Sequence, residues 1–318
     1  MFQLTESDLN SIVEKTGFSK NLLEKEYRIV DILDTLNENP AMRDKFVLKG
    51  GSALNLFIFE IPRLSIDIDL NYIAALSKDK MQEDRMLINY EIEKMFSSEY
   101  KVESTKDVHA LTQFVLHYRT LSGSNDMIKL EINYLFRQPV ISPVLEKCKL
   151  LGVDLNFLCL SFEELLAGKI VALLSRYTPR DLFDVYQISG SSYKINFRKL
   201  RQLILYYGLI ARSSIFELFQ FKFENITQSD INRKLSPMLP KRTFYKIEDL
   251  KEAAIRFLEP LIAYSDKEKA IIQSFYDTGE LDANTLFSFK EIIENVRKSP
   301  VFIWKKQNIQ KYLNKIEG

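Results

Sequence analysis

The run Leu64-Ser65-Ile66-Asp67-Ile68-Asp69-Leu70 constrains the fold more than any other stretch of this chain. Leu64, Ile66, Ile68 and Leu70 alternate with Ser65, Asp67 and Asp69, the period-two pattern of a strand with one apolar and one polar face. Aspartate is depleted in strands, yet two stand here on the same face. Their carboxylates repel unless a cation sits between them. The strand therefore reads either as a metal-binding face or as a solvated edge.

The flanking segments fit the first reading. Phe46-Val47-Leu48 is a short apolar run that stops at Gly50-Gly51, and Ser52 opens an apolar helical stretch, Ala53 to Phe59, broken at Pro62. Glycines let a backbone approach a phosphate, and a helix start offers it free N–H groups; the bland alternative is a strand-to-helix turn. Lys78–Phe96 reads as a helix. Thr112–Thr120 and Met127–Leu135 read as strands joined at Ser122-Gly123-Ser124-Asn125. Glu131 falls on the polar face of the second. Beside Asp67 and Asp69 it would complete an oxygen-only set suited to Mg²⁺ and to no soft metal.

The first forty residues are helical in pattern, with Ser7 and Ser19 as candidate N-caps and a stop at Asn37-Glu38-Asn39-Pro40. Beyond about residue 155 the pattern is helical almost throughout: Phe162–Arg176, Pro179–Ile188, Phe197–Tyr207, Ile247–Tyr264, Asp266–Tyr276, Asn284–Arg297 and Lys305–Ile316. The expected fold class is α+β, with a mixed sheet and flanking helices over 1–155 and an α-helical domain over 156–318.

Ser161-x-x-Glu164 has the form of a capping box. On the helix it opens, Lys169 shares the stripe of Phe162, Leu165, Leu166 and Leu173, and Arg176 follows seven residues later. A lysine on an inward stripe is costly unless it meets an anion or its stem snorkels to the surface. Thr178-Pro179 starts the next helix, where Asp181 could serve only as a cap and Asp184 could pair with Arg180.

Together these elements resemble the nucleotidyltransferase superfamily, although the 14 residues between Ser52 and Asp67 exceed the usual spacer. The resemblance narrows to the AbiEii/AbiGii toxin family, MenT-like enzymes of type IV-like toxin–antitoxin systems. It rests on Glu24-Lys25-Glu26-Tyr27, Leu48-Lys49-Gly50-Gly51-Ser52-Ala53-Leu54, Arg63 to Leu70, Lys169 to Arg176, and Arg180-Asp181-Leu182-Phe183-Asp184. It spans about residues 24 to 188 and implies a nucleotidyltransferase fold followed by a helical domain that completes the active site. It further implies a toxin that transfers a nucleoside monophosphate from an NTP, with the 3′ end of tRNA as acceptor, blocking translation in phage abortive infection.

Asp67, Asp69 and Glu131 would hold two Mg²⁺ ions about 3.5–4 Å apart. Glu131 would sit nearest the acceptor hydroxyl and take its proton. Gly50, Gly51, Ser52 and Ser65 would contact phosphates. Lys169, Arg176 and Arg180 would neutralise their charge, with Asp181 and Asp184 beside them. An AbiEi-like antitoxin is the implied partner.

Composition narrows the rest. With 44 Lys+Arg against 43 Asp+Glu, the net charge of +1 excludes a uniformly basic nucleic-acid coat but not a local patch. Two patches stand out: Arg233 to Lys246, and Arg297, Lys298, Lys305, Lys306, Lys311 and Lys315 around Phe302 and Trp304. Both suit an RNA backbone and unpaired bases, or are ordinary solvated faces. Cys148, Cys159, His109 and His117 are too few for a disulfide framework or a His-rich metal site. The start lacks a signal-peptide pattern and no apolar run is long enough for a membrane span, so a cytoplasmic protein without membrane contact is expected. Two further readings are a non-catalytic nucleotide-binding interaction protein and transfer to a protein or small-molecule hydroxyl.

Overall fold

The structure, a computed structural model, describes residues 5–75, 77–108 and 110–317. Met1–Leu4 and His109 lie outside them. The chain divides into two compact units. One runs to Arg137 and takes in Pro143–Leu160 and Ser236–Phe244; the other comprises Gln138–Ser142, Ser161–Leu235 and the chain from Tyr245 onward.

In the first unit, α1 (Glu6–Thr16) and α2 (Lys20–Glu38) lead to β1 (Phe46–Lys49). A short α3 (Gly50–Ala53) then widens into a π-helical turn at Leu54–Ile58. There follow β2 (Asp67–Tyr72), α4 (Lys78–Phe96), β3 (Lys101–Val108), β4 (Leu111–Arg119), β5 (Asn125–Asn133), β6 (Val144–Lys147) and β7 (Asn156–Cys159). The strands form one mixed sheet in the order β3-β4-β5-β2-β1-β7-β6. β2 lies at its centre, antiparallel to β1 and parallel to β5. Apolar rows cross it in register: Leu48, Leu70 and Ile132 form one, and Ile68, Leu130 and Phe114 the next. All six are buried. Each contributes roughly 1.5–3 kcal/mol and fixes which face the alternating polar residues must take.

The second unit is helical: α5 (Phe162–Arg176), α6 (Pro179–Ser189), α7 (Phe197–Ile210), α8 (Ile215–Leu218), α9 (Gln228–Lys234), α10 (Ile247–Ile262), α11 (Asp266–Thr278), α12 (Ala283–Leu286), α13 (Lys290–Lys298) and α14 (Pro300–Glu317). No helix among the described residues is long and apolar enough to cross a membrane.

Several local expectations are corrected. Thr5, not Ser7, caps α1, forming a capping box with Asp8. Ser19 holds the N-cap position of α2 without a side-chain bond. Ser161 makes no cap bond either, and the Glu164 carboxylate accepts instead from the Val140 and Ile141 amides, each at 2.9 Å, and from the Tyr207 hydroxyl at 2.8 Å. β2 begins only at Asp67. The Leu64 amide goes instead to the Met238 carbonyl and the Ser65 amide to the Glu26 carboxylate. The single helix expected over Asn284–Arg297 is α12 and α13, parted where the Ser288 amide donates to Gln202 Oε1 at 3.0 Å.

One turn of α2 fastens four other segments of its unit. Glu24 accepts from the Leu121 amide at 3.0 Å, Lys25 Nζ reaches Asp126 at 2.7 Å, Glu26 holds the Ser65 amide, and the Tyr27 hydroxyl donates to the Leu151 carbonyl at 2.7 Å. Burial pushes the Glu26 carboxyl up to about 8, against the opposing pull of the Ser65 amide and the Arg63 guanidinium. The folded chain thus keeps a proton that the unfolded chain releases above its ordinary value of 4.5. The resulting stabilisation is full below that value and fades as pH rises toward 8. Glu26→Gln keeps an oxygen for Ser65 but cannot titrate. The thermal midpoint of the variant should gain on that of the natural chain between pH 5 and pH 8; parallel profiles would contradict this assignment.

Candidate active site

Strand register assembles the site. Lys49, Asp69, Glu131 and Gln113 form one row across β1, β2, β5 and β4. Asp67 lies two residues earlier on the same face of β2, opposite Lys129. Asp67, Asp69 and Glu131 are partly exposed, while the alternating Ile68, Leu70, Leu130 and Ile132 are buried. Three carboxylates therefore share one face of two adjacent strands, which run about 4.8 Å apart.

The turn after β1 wraps this row closely. Gly50 has φ +72°, and a Cβ there would stand 2.5 Å from Asp69 Oδ2. A Cβ on Gly51 would stand 2.9 Å from an Arg63 guanidinium nitrogen. Gly50→Ala should accordingly cost about 1–3 kcal/mol in backbone strain and also displace the Asp69 carboxylate. A urea melt reads the first effect and divalent-ion titration the second; a variant unchanged in both would refute the close approach.

Ser52 is buried and its hydroxyl bonds the Asp67 carbonyl and, at 2.9 Å, the Ser65 hydroxyl. It ties the start of β2 to α3. Arg63 is buried too, donating to the Leu64 carbonyl at 2.8 Å. Glu26, Arg63 and Ser65 thus brace the loop that delivers Asp67.

Local sequence pattern did not single out Gln113 or Lys49. The Gln113 amide donates to Glu131 Oε1, and its own oxygen accepts from the Thr105 hydroxyl at 2.9 Å. The second bond orients the amide, so its nitrogen faces Glu131. Lys49 Nζ stands 5.6 Å from the Phe136 ring centroid. Burial lowers its pKa, and the charges of Asp69 and Glu131 draw it back up. The signal for both residues was their polar place in an otherwise apolar run.

The donor set, all carboxylate oxygen, fits a hard divalent cation by chemistry and by strand placement. As the side chains stand, no group of three His, Cys, Asp or Glu among the described residues converges on one metal position. Glu131 is instead turned onto Gln113.

The helical unit builds a separate charged cluster. Lys169 Nζ lies 2.9 Å from Asp181 Oδ1 and 3.0 Å from Asp184 Oδ2, and all three side chains are buried. Arg176 Nε meets Asp181 Oδ2 at 2.6 Å and the Thr178 hydroxyl meets it at 2.7 Å. Burial alone would raise the Asp181 carboxyl; Lys169 and Arg176 outweigh it and hold it well below the usual carboxylate range. Asp184 therefore turns inward to Lys169, and no ion pair with Arg180 is seen among the described residues. Arg176 remains largely exposed.

The two basic segments are partly neutralised. Arg233 and Lys234 pair with Asp230, and Lys306 pairs with Glu280. Lys305 Nζ donates to the Ala211 carbonyl at 2.6 Å. Lys241, Arg242, Phe244, Trp304, Lys311 and Tyr312 are exposed. His117 is partly exposed beside Glu103, away from the carboxylate row.

A family model described as nucleotidyl transferase AbiEii toxin, type IV toxin–antitoxin system, matches residues 31–254. Among solved structures, the chain is similar to MenT4, a nucleotidyltransferase toxin from Mycobacterium tuberculosis H37Rv. Identity is 14% over 85% of this chain and 97% of that one, with a TM-score of 0.59. JHP933 from Helicobacter pylori aligns at 17% identity over 81% of this chain and 99% of that one, with a TM-score of 0.50. At such identities the likeness is one of fold. No curated protein sequence matches the chain.

Proposed function

This chain belongs to the AbiEii nucleotidyl transferase toxin family of type IV toxin–antitoxin systems, and from that premise we propose that it transfers a nucleoside monophosphate from an NTP to the 3′ end of tRNA and so blocks translation. The observation that carries the reading is the placement of Asp67, Asp69 and Glu131 on one sheet face, with the Gly50-Gly51 turn packed closely against the Asp69 carboxylate.

Asp67, Asp69 and Glu131 would hold Mg²⁺, which when bound polarises the α-phosphate and eases ionisation of the acceptor hydroxyl. The hydroxyl oxygen attacks the α-phosphorus, the bond to pyrophosphate breaks, and Glu131 receives the hydroxyl proton. Gly50 and Gly51 admit the phosphates to the backbone, while Ser52 and Ser65 hold the loop that presents Asp67. In the helical unit, Arg176 and Arg180 carry charge suited to phosphate, with Lys169, Asp181 and Asp184 fixing their helices. The exposed Lys241, Arg242 and Phe244, and Trp304, Lys311 and Tyr312, suit an RNA acceptor. A cognate AbiEi-like antitoxin, a cytoplasmic setting and a part in phage abortive infection complete the proposal.

The acceptor is tested by incubating the protein with total cellular RNA, protein extract, Mg²⁺ and each α-labelled NTP in turn. Label in a tRNA-sized band supports the reading. Label on protein would instead favour transfer to a protein hydroxyl.

A further inference from the structure

Lys49 is the one cation in the row that joins β1, β2, β5 and β4. It stands directly opposite Asp69, which stands opposite Glu131. Its side chain is partly buried, yet no carboxylate among the described residues lies within ion-pair distance of its ammonium. The contrast with Lys169 is informative. That lysine is buried and held by two aspartates at 2.9 and 3.0 Å. Lys49 is held by none, although Asp69 is its register partner. A partly buried ammonium that faces the Phe136 ring and closes no ion pair keeps its donors free for a ligand anion.

The residues that follow Lys49 say which anion has access. Gly50 and Gly51 follow on its C-terminal side, with the Asp69 carboxylate and the Arg63 guanidinium lying against the positions their Cβ atoms would take. A carboxylate-bearing ligand would be repelled by Asp69 and Glu131 as a point charge. A polyphosphate meets the same repulsion, but its several oxygens can chelate a divalent ion held by those carboxylates and still leave an oxygen for the ammonium. Resting on the nucleotidyl-transfer reading of this face, we propose that Lys49 binds an oxygen of the substrate's triphosphate chain and is a specificity-determining contact for polyphosphate.

This role gives a pair of effects with opposite sign. Removing the ammonium takes a positive charge away from Asp69 and Glu131, so a divalent cation should bind more tightly. It also removes a charge-assisted hydrogen bond to phosphate, so polyphosphate should bind more weakly. A lysine that only supported the fold would weaken both.

The test uses the full chain, Mn²⁺ and inorganic tripolyphosphate, each titrated by calorimetry, with a thermal melt of every variant. For Lys49→Met the expectation is Mn²⁺ affinity raised about threefold, the scale of a screened charge pair. Tripolyphosphate affinity measured with Mn²⁺ present should fall about tenfold or more. Lys49→Arg, which keeps the charge and guards against a folding artefact, should retain most of the tripolyphosphate affinity. If the natural chain binds both probes but Lys49→Met leaves tripolyphosphate affinity unchanged, or lowers both affinities together, the role of Lys49 is overturned and the reading of the site stands. If the natural chain binds neither probe, the reading of the site falls and this inference falls with it.

Discussion

Asp69→Asn should lower transfer of labelled nucleotide by about a thousandfold while leaving the chain folded, the scale expected when a central electrostatic group is removed. Asp69 is the carboxylate common to every feature of the site. It faces Lys49 on one side and Glu131 on the other, and it fills the space that Gly50 leaves open. Asparagine has the same shape, so the Gly50 turn is undisturbed. Loss of one of three carboxylates on the same sheet face also relieves repulsion, so the thermal midpoint should hold or rise. An active Asp69→Asn protein would remove the carboxylate row from the chemistry. An unfolded one would point to a purely structural aspartate.

The second large effect belongs to the helical unit. Lys169→Met should cost about 3–5 kcal/mol of stability, because it removes the cation shared by two buried carboxylates. Arg176 still meets Asp181 from the solvent side, whereas Asp184 is fully buried and loses its ion-pair partner at 3.0 Å. The triple change Lys169→Met, Asp181→Asn, Asp184→Asn should recover much of that loss, since no uncompensated charge remains. Urea melts of the two variants check this. Equal losses in both would mean that packing, not charge, dominates at this cluster.

The two halves of the fold were legible because their patterns are local. Helical periodicity located α2, α4, α5, α6 and α7 within a few residues, alternation located β2 and β5, and strand-forming residues located β4. β3 was hidden because Lys101, Glu103, Lys106 and Asp107 leave it almost no apolar face. β6 and β7 are only four residues each, below the length at which alternation is distinctive. The long interval between Ser52 and Asp67 is taken up by the π-helical turn and by Ile61, which adopts φ +51°, a conformation that no local propensity favours.

On the candidate face, Asp67, Asp69 and Glu131 stand out in the chain because each breaks an apolar alternation. Lys49, Gln113 and Glu26 could not be given roles. Their partners lie on strands and loops joined only by long-range register, as with Gln113 on Glu131 and Glu26 on the Ser65 amide. Lys169 reads from the sequence as a lysine on an inward stripe, and the structure buries it against two aspartates. That its anions are Asp181 and Asp184 depends on how α5 packs on α6, which spacing along one helix does not reveal.

The most direct test of the central claim separates nucleotidyl from phosphoryl transfer. Purified protein is given RNA and Mg²⁺ with an NTP labelled either at the α- or at the γ-phosphate, and the polymer fraction is counted. The α label should enter the polymer, the γ label should leave as pyrophosphate, and both outcomes should vanish in Asp67→Asn/Asp69→Asn. Incorporation of the γ label, or α incorporation that survives in that variant, would contradict the account.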